Sequence, residues 1–351
     1  MNSKEGRRLF AQLALAAARV AGRDGGMSLV VWTNHVFRPE ALPVFQEQLR
    51  AAGHTLIVSP SASPLVLAAG ADDPTLAEAD VAFGQPDVAQ AMACPRLKFI
   101  ALSSAGYRRY DRDDFRAAMR GRGVPVTNAS RVFADPCAQH VLAQMLALER
   151  NLPVQLRNQD GKREWRYLED RFTNGTLTHR TVLLLGYGTI ARRLAELLKP
   201  FGTTVTAYRR TARGDENVPI VNEAGLPVAL ATADHVVNIL PDSPATTGWM
   251  SAARFAQMKP GARFYNIGRG TTVDQAALMA ALESGQVGAA YLDVMDPEPL
   301  PPSHPLWDAR NCLITCHIGG GTRDQDANLS AHFLTNLAAF TGGHDLVDRI
   351  M

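Results

Sequence analysis

The sequence predicts an α/β protein built from two doubly wound, parallel-sheet units, and three observations carry that expectation. The first is the stretch 181–210, TVLLLGYGTIARRLAELLKPFGTTVTAYRR, which reads as strand, glycine turn, helix and strand. The second is the region before it, where short apolar segments alternate with helical ones but carry no glycine-rich turn. The third is length: 351 residues are too many for one small core, so two domains are expected.

Within the central stretch, Val182–Leu185 is an apolar run without charge, as a strand buried on both faces requires. Gly186, Tyr187, Gly188, Thr189, Ile190 and Ala191 follow in the form G-x-G-x-x-A. Ile190, Leu194, Leu197 and Leu198 then recur at helical spacing, with Arg192, Arg193, Glu196 and Lys199 on the other side. Pro200 and Gly202 stop the helix, and Thr203–Tyr208 is a second strand. A glycine turn feeding a helix N-terminus offers backbone N–H groups and a favourable dipole to a pyrophosphate. The bare motif is weak, but in this strand–helix–strand context it reads as a dinucleotide site. The alternative is a tight turn with no ligand.

The end of the second strand bears on which dinucleotide. An NAD site places Asp or Glu there for the ribose 2′-OH. This chain has Arg209 and Arg210, and no carboxylate before Asp215. Guanidiniums suit a 2′-phosphate, so NADP(H) is preferred and NAD(H) stays open. A solvated basic loop is the plainer reading.

Along the rest of the chain, Leu29–Trp32, His54–Val58, Ala79–Phe83, Leu97–Leu102 and Val124–Thr127 are expected strands, with a helix over Pro39–Ala52. Ala134–Arg150 is a long, largely apolar helix, buried between domains or in a dimer interface. Pro153–Thr178 is polar and gives little helix or strand signal. After the central stretch, strands are expected at His235–Leu240, Ala262–Ile267, Gly288–Val294 and Cys312–Thr315, and a final helix at Asp324–Phe340.

Composition excludes several classes. Apolar residues make up 46% and charged residues 20%, with a net charge of +2, which gives no drive towards nucleic acid or an anionic membrane. No apolar run reaches the length of a membrane span. Cys94, Cys137, Cys312 and Cys316 are scattered, so no metal site is expected and reduced thiols fit a cytoplasmic protein. Residues 1–27 read as an N-terminal extension. Arg7-Arg8 before an Ala/Leu run leaves open an export signal, an extra helix, or a start at Met27.

Three candidate catalytic residues follow strands of the second unit: Arg269, Glu298 and His317. Ligands of open parallel sheets bind at that edge. Arg269 offers a charged fork for a carboxylate, His317 can exchange a proton near neutral pH, and Glu298 can hold its imidazole in one tautomer.

The motifs LLGYGTIARRLAELLKPFG, NIGRGTTVD, LDVMDPEP, PLWDARNCLITCHIGGGT and, earlier, LKFIALSSAG, spread across residues 28–351, resemble the D-isomer-specific 2-hydroxyacid dehydrogenase family, glyoxylate/hydroxypyruvate reductases included. The resemblance implies a Rossmann dinucleotide-binding domain, 128–318, inserted in a flavodoxin-like substrate domain formed by 28–127 and 319–351. It implies that Arg269 binds the substrate carboxylate and polarises its carbonyl, that His317 is the acid and base, and that Glu298 pairs with it. Backbone N–H groups around Ser104, Ala105 and Gly106 would clamp the substrate carboxylate. Thr189 and Ile190 would meet the pyrophosphate, Asp293 the nicotinamide carboxamide, and Leu240, Pro241, Thr246, Ile267, Gly268 and Gly319 the rest of the groove. It further implies a homodimer through helices of the cofactor domain and reduction of a small 2-oxo acid to its D-2-hydroxy acid, with no metal, nucleic-acid or membrane partner. The departures are Ala191 for a glycine, Gln139 for a frequent glutamate, Cys316 for a proline, and Arg209 for the NAD-selecting acid. Two other functions stay open: a dinucleotide-sensing, corepressor-like binding protein on the same scaffold, and a related dehydrogenase of another small acid.

Overall fold

The computed structural model of the chain describes residues 27–61 and 72–351. The extension expected over residues 1–27 lies, apart from Met27, outside the described residues. The chain divides into two compact units: one ends at Val132 and resumes over Thr322–Met351, and the other is Phe133–Gly321.

The first unit holds β1 (Val30–Thr33), β2 (Thr55–Val58), β3 (Val81–Gly84), β4 (Phe99–Leu102) and β5 (Val126–Thr127). They pair in parallel in the order β2-β1-β3-β4-β5, a doubly wound, flavodoxin-like sheet. β3 and β4 are buried at every position, which is why VAFG and FIAL read as apolar runs without alternation. Helix Gln325–Thr341 returns from the end of the chain to close this core. Its Phe333 stacks on Phe83 with centroids 4.5 Å apart and meets Phe45 edge-on at 5.8 Å. Ile350 donates its N–H to the carbonyl of Val126 at 2.8 Å, and Arg349 bridges Thr127, so the β5 edge is covered.

The second unit holds β6 (Thr181–Leu185), β7 (Thr204–Tyr208), β8 (Ile220–Val221), β9 (His235–Asn238), β10 (Ala262–Asn266), β11 (Val287–Leu292) and β12 (Cys312–Ile314). Their order is β12-β11-β10-β9-β6-β7-β8, all parallel. The winding reverses between β6 and β9, and the carboxyl ends at that point form the crevice such sheets use for ligands. Both faces are covered. Leu183, Leu185, Val236 and Phe264 pack on one side. Val182, Leu184, Val237 and Tyr265 pack on the other, against Ala138, Val141 and Met145 of helix Ser130–Glu149.

Two local expectations need correction. The polar segment after that helix is helical over Leu152–Asp160 and Tyr167–Arg171. These helices bury no residue, so they lack the core-facing period that would reveal them. Their neighbourhood exposes Leu156, Leu168 and Phe172, and Trp165 is 94% exposed. β8 was unexpected because a two-residue strand has no measurable period.

At the amino ends of β6, β9 and β10 lies a buried charge cluster. Glu149 is fully buried. Its carboxylate lies 2.7 Å from Nη1 of Arg263, 3.2 Å from Nε2 of His235 and 3.4 Å from Nη2 of Arg180. Nδ1 of His235 is 2.9 Å from the Tyr265 hydroxyl. Burial alone would push the Glu149 carboxyl up, but the His235 hydrogen bond and the two guanidiniums hold it below its ordinary 4.5. Burial holds His235 below its ordinary 6.5 despite Glu149. Both shifts have the same consequence. The unfolded chain binds protons that the folded chain refuses, so stability is full above about pH 6.5 and is lost as pH falls through that value and then through the carboxylate range. Glu149→Ala leaves Arg263 and Arg180 without their buried counter-charge. It is expected to lower stability by about 3 kcal/mol, read as a lower urea midpoint with unchanged slope. An unchanged midpoint would show the cluster to be energetically neutral.

Candidate active site

β6 delivers the chain into the glycine turn. Gly186 has φ +94, and a Cβ there would stand 3.0 Å from the carbonyl oxygen of Ile239 at the end of β9. Only glycine lets these two strand ends approach so closely. Gly188 is the N-cap of helix Thr189–Leu198, so the N–H groups at Thr189 and Ile190 open the helix where an anion is favoured. Tyr187 turns inward: its ring is buried, its hydroxyl bonds Asn217, and the Arg192 guanidinium lies 5.0 Å over it. Ala191 is fully buried beside Leu194 and Val141, so the packing accommodates its methyl group.

At the end of β7, Arg209 does not stand among cations alone. Its Nη1 donates to Oε1 of Glu216 at 2.6 Å. Arg210 is exposed.

β9 and β10 end in asparagines that pair in register, Asn238 with Asn266. Asn238 Nδ2 donates to Asn266 Oδ1 at 3.0 Å and to Thr272 Oγ1 at 2.7 Å. Asn238 Oδ1 accepts from the N–H of Leu240, and Asn266 Oδ1 from that of Gly268. Asn266 Nδ2 donates to the carbonyl of Arg269 at 3.1 Å, which Thr272 Oγ1 also bonds at 2.7 Å. The network therefore fixes the backbone of both loops, 238–240 and 266–272. Gly268 is required here too, since a Cβ would meet the Leu240 carbonyl oxygen at 2.7 Å. Leu240 and Ile267 are buried beside it. Thr246 Oγ1 donates to the carbonyl of Pro241 at 2.6 Å and shapes that turn. The Arg269 side chain is part-exposed and donates to the carbonyl of Gly268 at 2.7 Å.

β11 and β12 position the histidine. Asp293, buried at the end of β11, accepts from Thr315 Oγ1 at 2.6 Å, from the N–H of Ile318 at 2.9 Å and from that of Gly319 at 2.8 Å. Its carbonyl accepts from the N–H of His317 at 2.8 Å. The loop is thereby wrapped around one carboxylate, and His317 takes φ +53. Such a conformation costs a side-chain-bearing residue about 1–3 kcal/mol and persists where neighbours over-determine it. His317 Nδ1 lies 2.7 Å from Glu298 Oε2, whose partner oxygen accepts from the N–H of Met295 at 2.9 Å. The imidazole is a third exposed and the glutamate only 17%. Burial would raise the Glu298 carboxyl, but His317, the Met295 N–H and Arg269 outweigh it and hold it below the usual range. Glu298 is thus an ionised acceptor, Nδ1 carries a hydrogen, and Nε2 is left to exchange protons.

In the first unit, the loop after β4 is tied at each carbonyl. Ser104 accepts from the N–H of Ala129 at 3.0 Å, Ala105 from Asn128 Nδ2 at 2.8 Å, and Gly106 from Ser104 Oγ at 2.7 Å. Gln85 Nε2 donates to Ser104 Oγ at 2.9 Å, and Asn34 holds the Gln85 backbone at both N–H and C=O. Sequence reasoning missed Asn34, Gln85, Asn238, Asn266 and Glu216. Of these, Asn238 and Asn266 left a signal: each closes an apolar strand with a polar residue, in HVVN and in ARFYN. Among the described residues, no group of three or more His, Cys, Asp or Glu is arranged to hold a metal ion.

The sheet edge that offers a dinucleotide its glycine turn therefore also carries the proton-exchanging imidazole and a guanidinium, and this makes the second unit the core of a nicotinamide-dependent oxidoreductase. Comparison with known proteins agrees. Residues 142–319 match the family model for the D-isomer specific 2-hydroxyacid dehydrogenase, NAD binding domain. The glyoxylate reductase/hydroxypyruvate reductase of Homo sapiens is 34% identical over 258 residues, 72% of this chain and 77% of that one. A D-isomer specific 2-hydroxyacid dehydrogenase from Xanthobacter autotrophicus Py2, solved with NADPH and MES, has a TM-score of 0.76 at 27% identity, covering 93% of this chain and 98% of that one. An NADPH-dependent glyoxylate/hydroxypyruvate reductase from Sinorhizobium meliloti, solved with NADP and sulfate, has a TM-score of 0.73 at 26% identity over 92% and 98% of the two chains. The chain belongs to the D-isomer-specific 2-hydroxyacid dehydrogenase family, nicotinamide-dependent enzymes that act on a CH–OH group.

The asparagine network is open to a direct test. Asn266→Ala leaves the Gly268 N–H without its acceptor, and is expected to cost about 2 kcal/mol of stability. Faster amide hydrogen exchange over residues 266–272 than in the parent would locate the effect, and unchanged exchange there would dismiss the network as the holder of the Arg269 loop.

Proposed function

We propose that this protein reduces a small 2-oxo acid of the glyoxylate or hydroxypyruvate kind to the D-2-hydroxy acid with NADPH, NADH being the alternative cofactor. The observation that carries this reading is the 2.7 Å His317–Glu298 pair, in the same sheet edge as the glycine turn. We assign dinucleotide binding to the unit Phe133–Gly321. Gly186, Gly188, Thr189 and Ile190 would hold the pyrophosphate, Arg209 and Arg210 a 2′-phosphate, and Asp293 the carboxamide. Leu240, Pro241, Thr246, Ile267, Gly268 and Gly319 would line the groove. When bound, the nicotinamide supplies the hydride.

The chain's own residues supply the rest. Arg269 binds the substrate carboxylate. Arg269 also polarises the adjacent carbonyl, where negative charge develops. His317 Nε2 donates its proton to that oxygen during reduction and accepts it back in the reverse direction. Glu298 fixes the tautomer and balances the imidazolium as it forms. Of the open alternatives, a corepressor-like protein would have no use for a histidine held in a strained loop by the hydrogen bonds around Asp293 and Glu298.

Initial rates with a panel of small 2-oxo acids, each with NADPH and NADH, test this. Oxidation of NADPH with glyoxylate or hydroxypyruvate is expected, and a panel without turnover would overturn the proposal. His317→Ala should lose at least about 100-fold in kcat while NADPH still binds, since general acid catalysis contributes about 10²–10⁴. Retained turnover would remove His317 from the mechanism.

We further propose a cytoplasmic homodimer, built through the second unit. Leu156, Trp165, Leu168 and Phe172 are large apolar side chains left exposed in this unit, and a second copy would cover them. Sedimentation velocity should give twice the 38.0 kDa chain mass. Trp165→Ser with Phe172→Ser should shift it towards monomer, and a dimer unmoved by the pair would place the interface elsewhere.

A further inference from the structure

The turn that leaves β7 holds a carboxylate where the sequence shows only cations. Glu216 Oε1 accepts from Arg209 Nη1 at 2.6 Å and from the N–H of Arg213 at 2.8 Å, and its Oε2 accepts from the N–H of Gly214 at 2.9 Å. The pair is nearly sealed, with side-chain exposures of 14% for Arg209 and 5% for Glu216. Asp215 is different in kind. It is 62% exposed, 3.9 Å from Arg209, and pairs with Arg192 at 2.7 Å. Residue 217 is anchored in turn, because Asn217 bonds the hydroxyl of Tyr187 in the glycine turn. The segment 209–214 thus builds a small anion-binding nest from a guanidinium and two successive N–H groups, and the chain's own glutamate fills it.

We infer that Glu216 is an internal occupant of this anion site and that it sets the balance between NADPH and NADH. The inference rests on the cofactor reading above, in which Arg209 meets the adenosine ribose. A 2′-phosphate carries about −1.5 to −2 charges at pH 7 and is repelled by a carboxylate seated on the same guanidinium. Protonation does not clear the seat: the Arg213 N–H, Arg209 and the Gly214 N–H together hold the Glu216 carboxyl down at about 2. NADPH must therefore bind against the charge of this side chain or displace it from its three donors. A 2′-hydroxyl faces no such conflict, because it can donate to the seated carboxylate. Arg209 and Arg210 favour the phosphate and Glu216 opposes it, so the selectivity of the wild-type protein is the difference between them.

Isothermal titration of the full chain with NADPH, NADH, adenosine 2′,5′-bisphosphate and AMP tests this without reference to turnover. Three variants are compared: Glu216→Gln, which keeps an acceptor for one of the two backbone N–H groups, Glu216→Ala, and Arg209→Ala. Both Glu216 variants are expected to tighten NADPH and the bisphosphate by about tenfold relative to NADH and AMP, the scale of one charge-assisted hydrogen bond. Arg209→Ala is expected to weaken NADPH and the bisphosphate by at least about as much. If Arg209→Ala weakens NADPH but neither Glu216 variant moves the ratio beyond twofold, the role of Glu216 is refuted and the cofactor reading stands. If Arg209→Ala leaves NADPH binding unchanged, the cofactor reading itself fails, and the inference with it. Unaltered thermal midpoints show that the variants report on binding rather than folding.

Discussion

One buried carboxylate, that of Asp293, holds the chemistry of this protein in place. It closes β11 and gathers a hydroxyl and two N–H groups from the loop beyond β12, so that loop has no freedom to relax. His317 accepts a left-handed backbone as a result, and its ring is delivered to Glu298. Asn266 and Asn238 do the same for the loops that follow β10 and β9. Side chains at strand ends, rather than the loops' own sequence, shape this edge. That is a physical necessity in a sheet apolar on both faces, where polar anchors fit only at its rim.

The division between what the residues reveal in one dimension and what they conceal follows from range. The inner strands of both sheets are legible because burial on two faces leaves continuous apolar runs, whereas the two-residue edge strand β8 was not. The glycine turn is legible because its constraint is local, as the positive φ of Gly186 and its approach to Ile239 bear out. Arg269, Glu298 and His317 stand out as reactive types just past strands. The return of Glu216 to Arg209 was not legible, since a seven-residue loop gives no sign of which carboxylate it will bring home. Gln85 was hidden for the same reason: its partner Ser104 is 19 residues away, in the loop that follows β4. The helices at 152–160 and 167–171 were missed because they have no inward face.

The substitution of Ala191 for a glycine has a simple resolution. The methyl group is fully buried in the core cluster with Val141 and Leu194, and close packing there tolerates it. The cysteine before the histidine is likewise accommodated, because Asp293 restrains that loop by hydrogen bonds where a proline would restrain it through φ.

The return of helix Gln325–Thr341 bears on how the protein is born. Phe333 completes the aromatic cluster with Phe45 and Phe83, and Ile350 caps β5. The first sheet emerges from the ribosome long before these residues, and its hydrophobic core stays open until the last of them is released. The other unit is a single continuous segment that contains all seven of its strands. Synthesis therefore favours an inverted order, with the middle of the chain maturing first and the beginning waiting for the end. During that wait Phe45 and Phe83 lack the Phe333 ring that covers them in the finished fold.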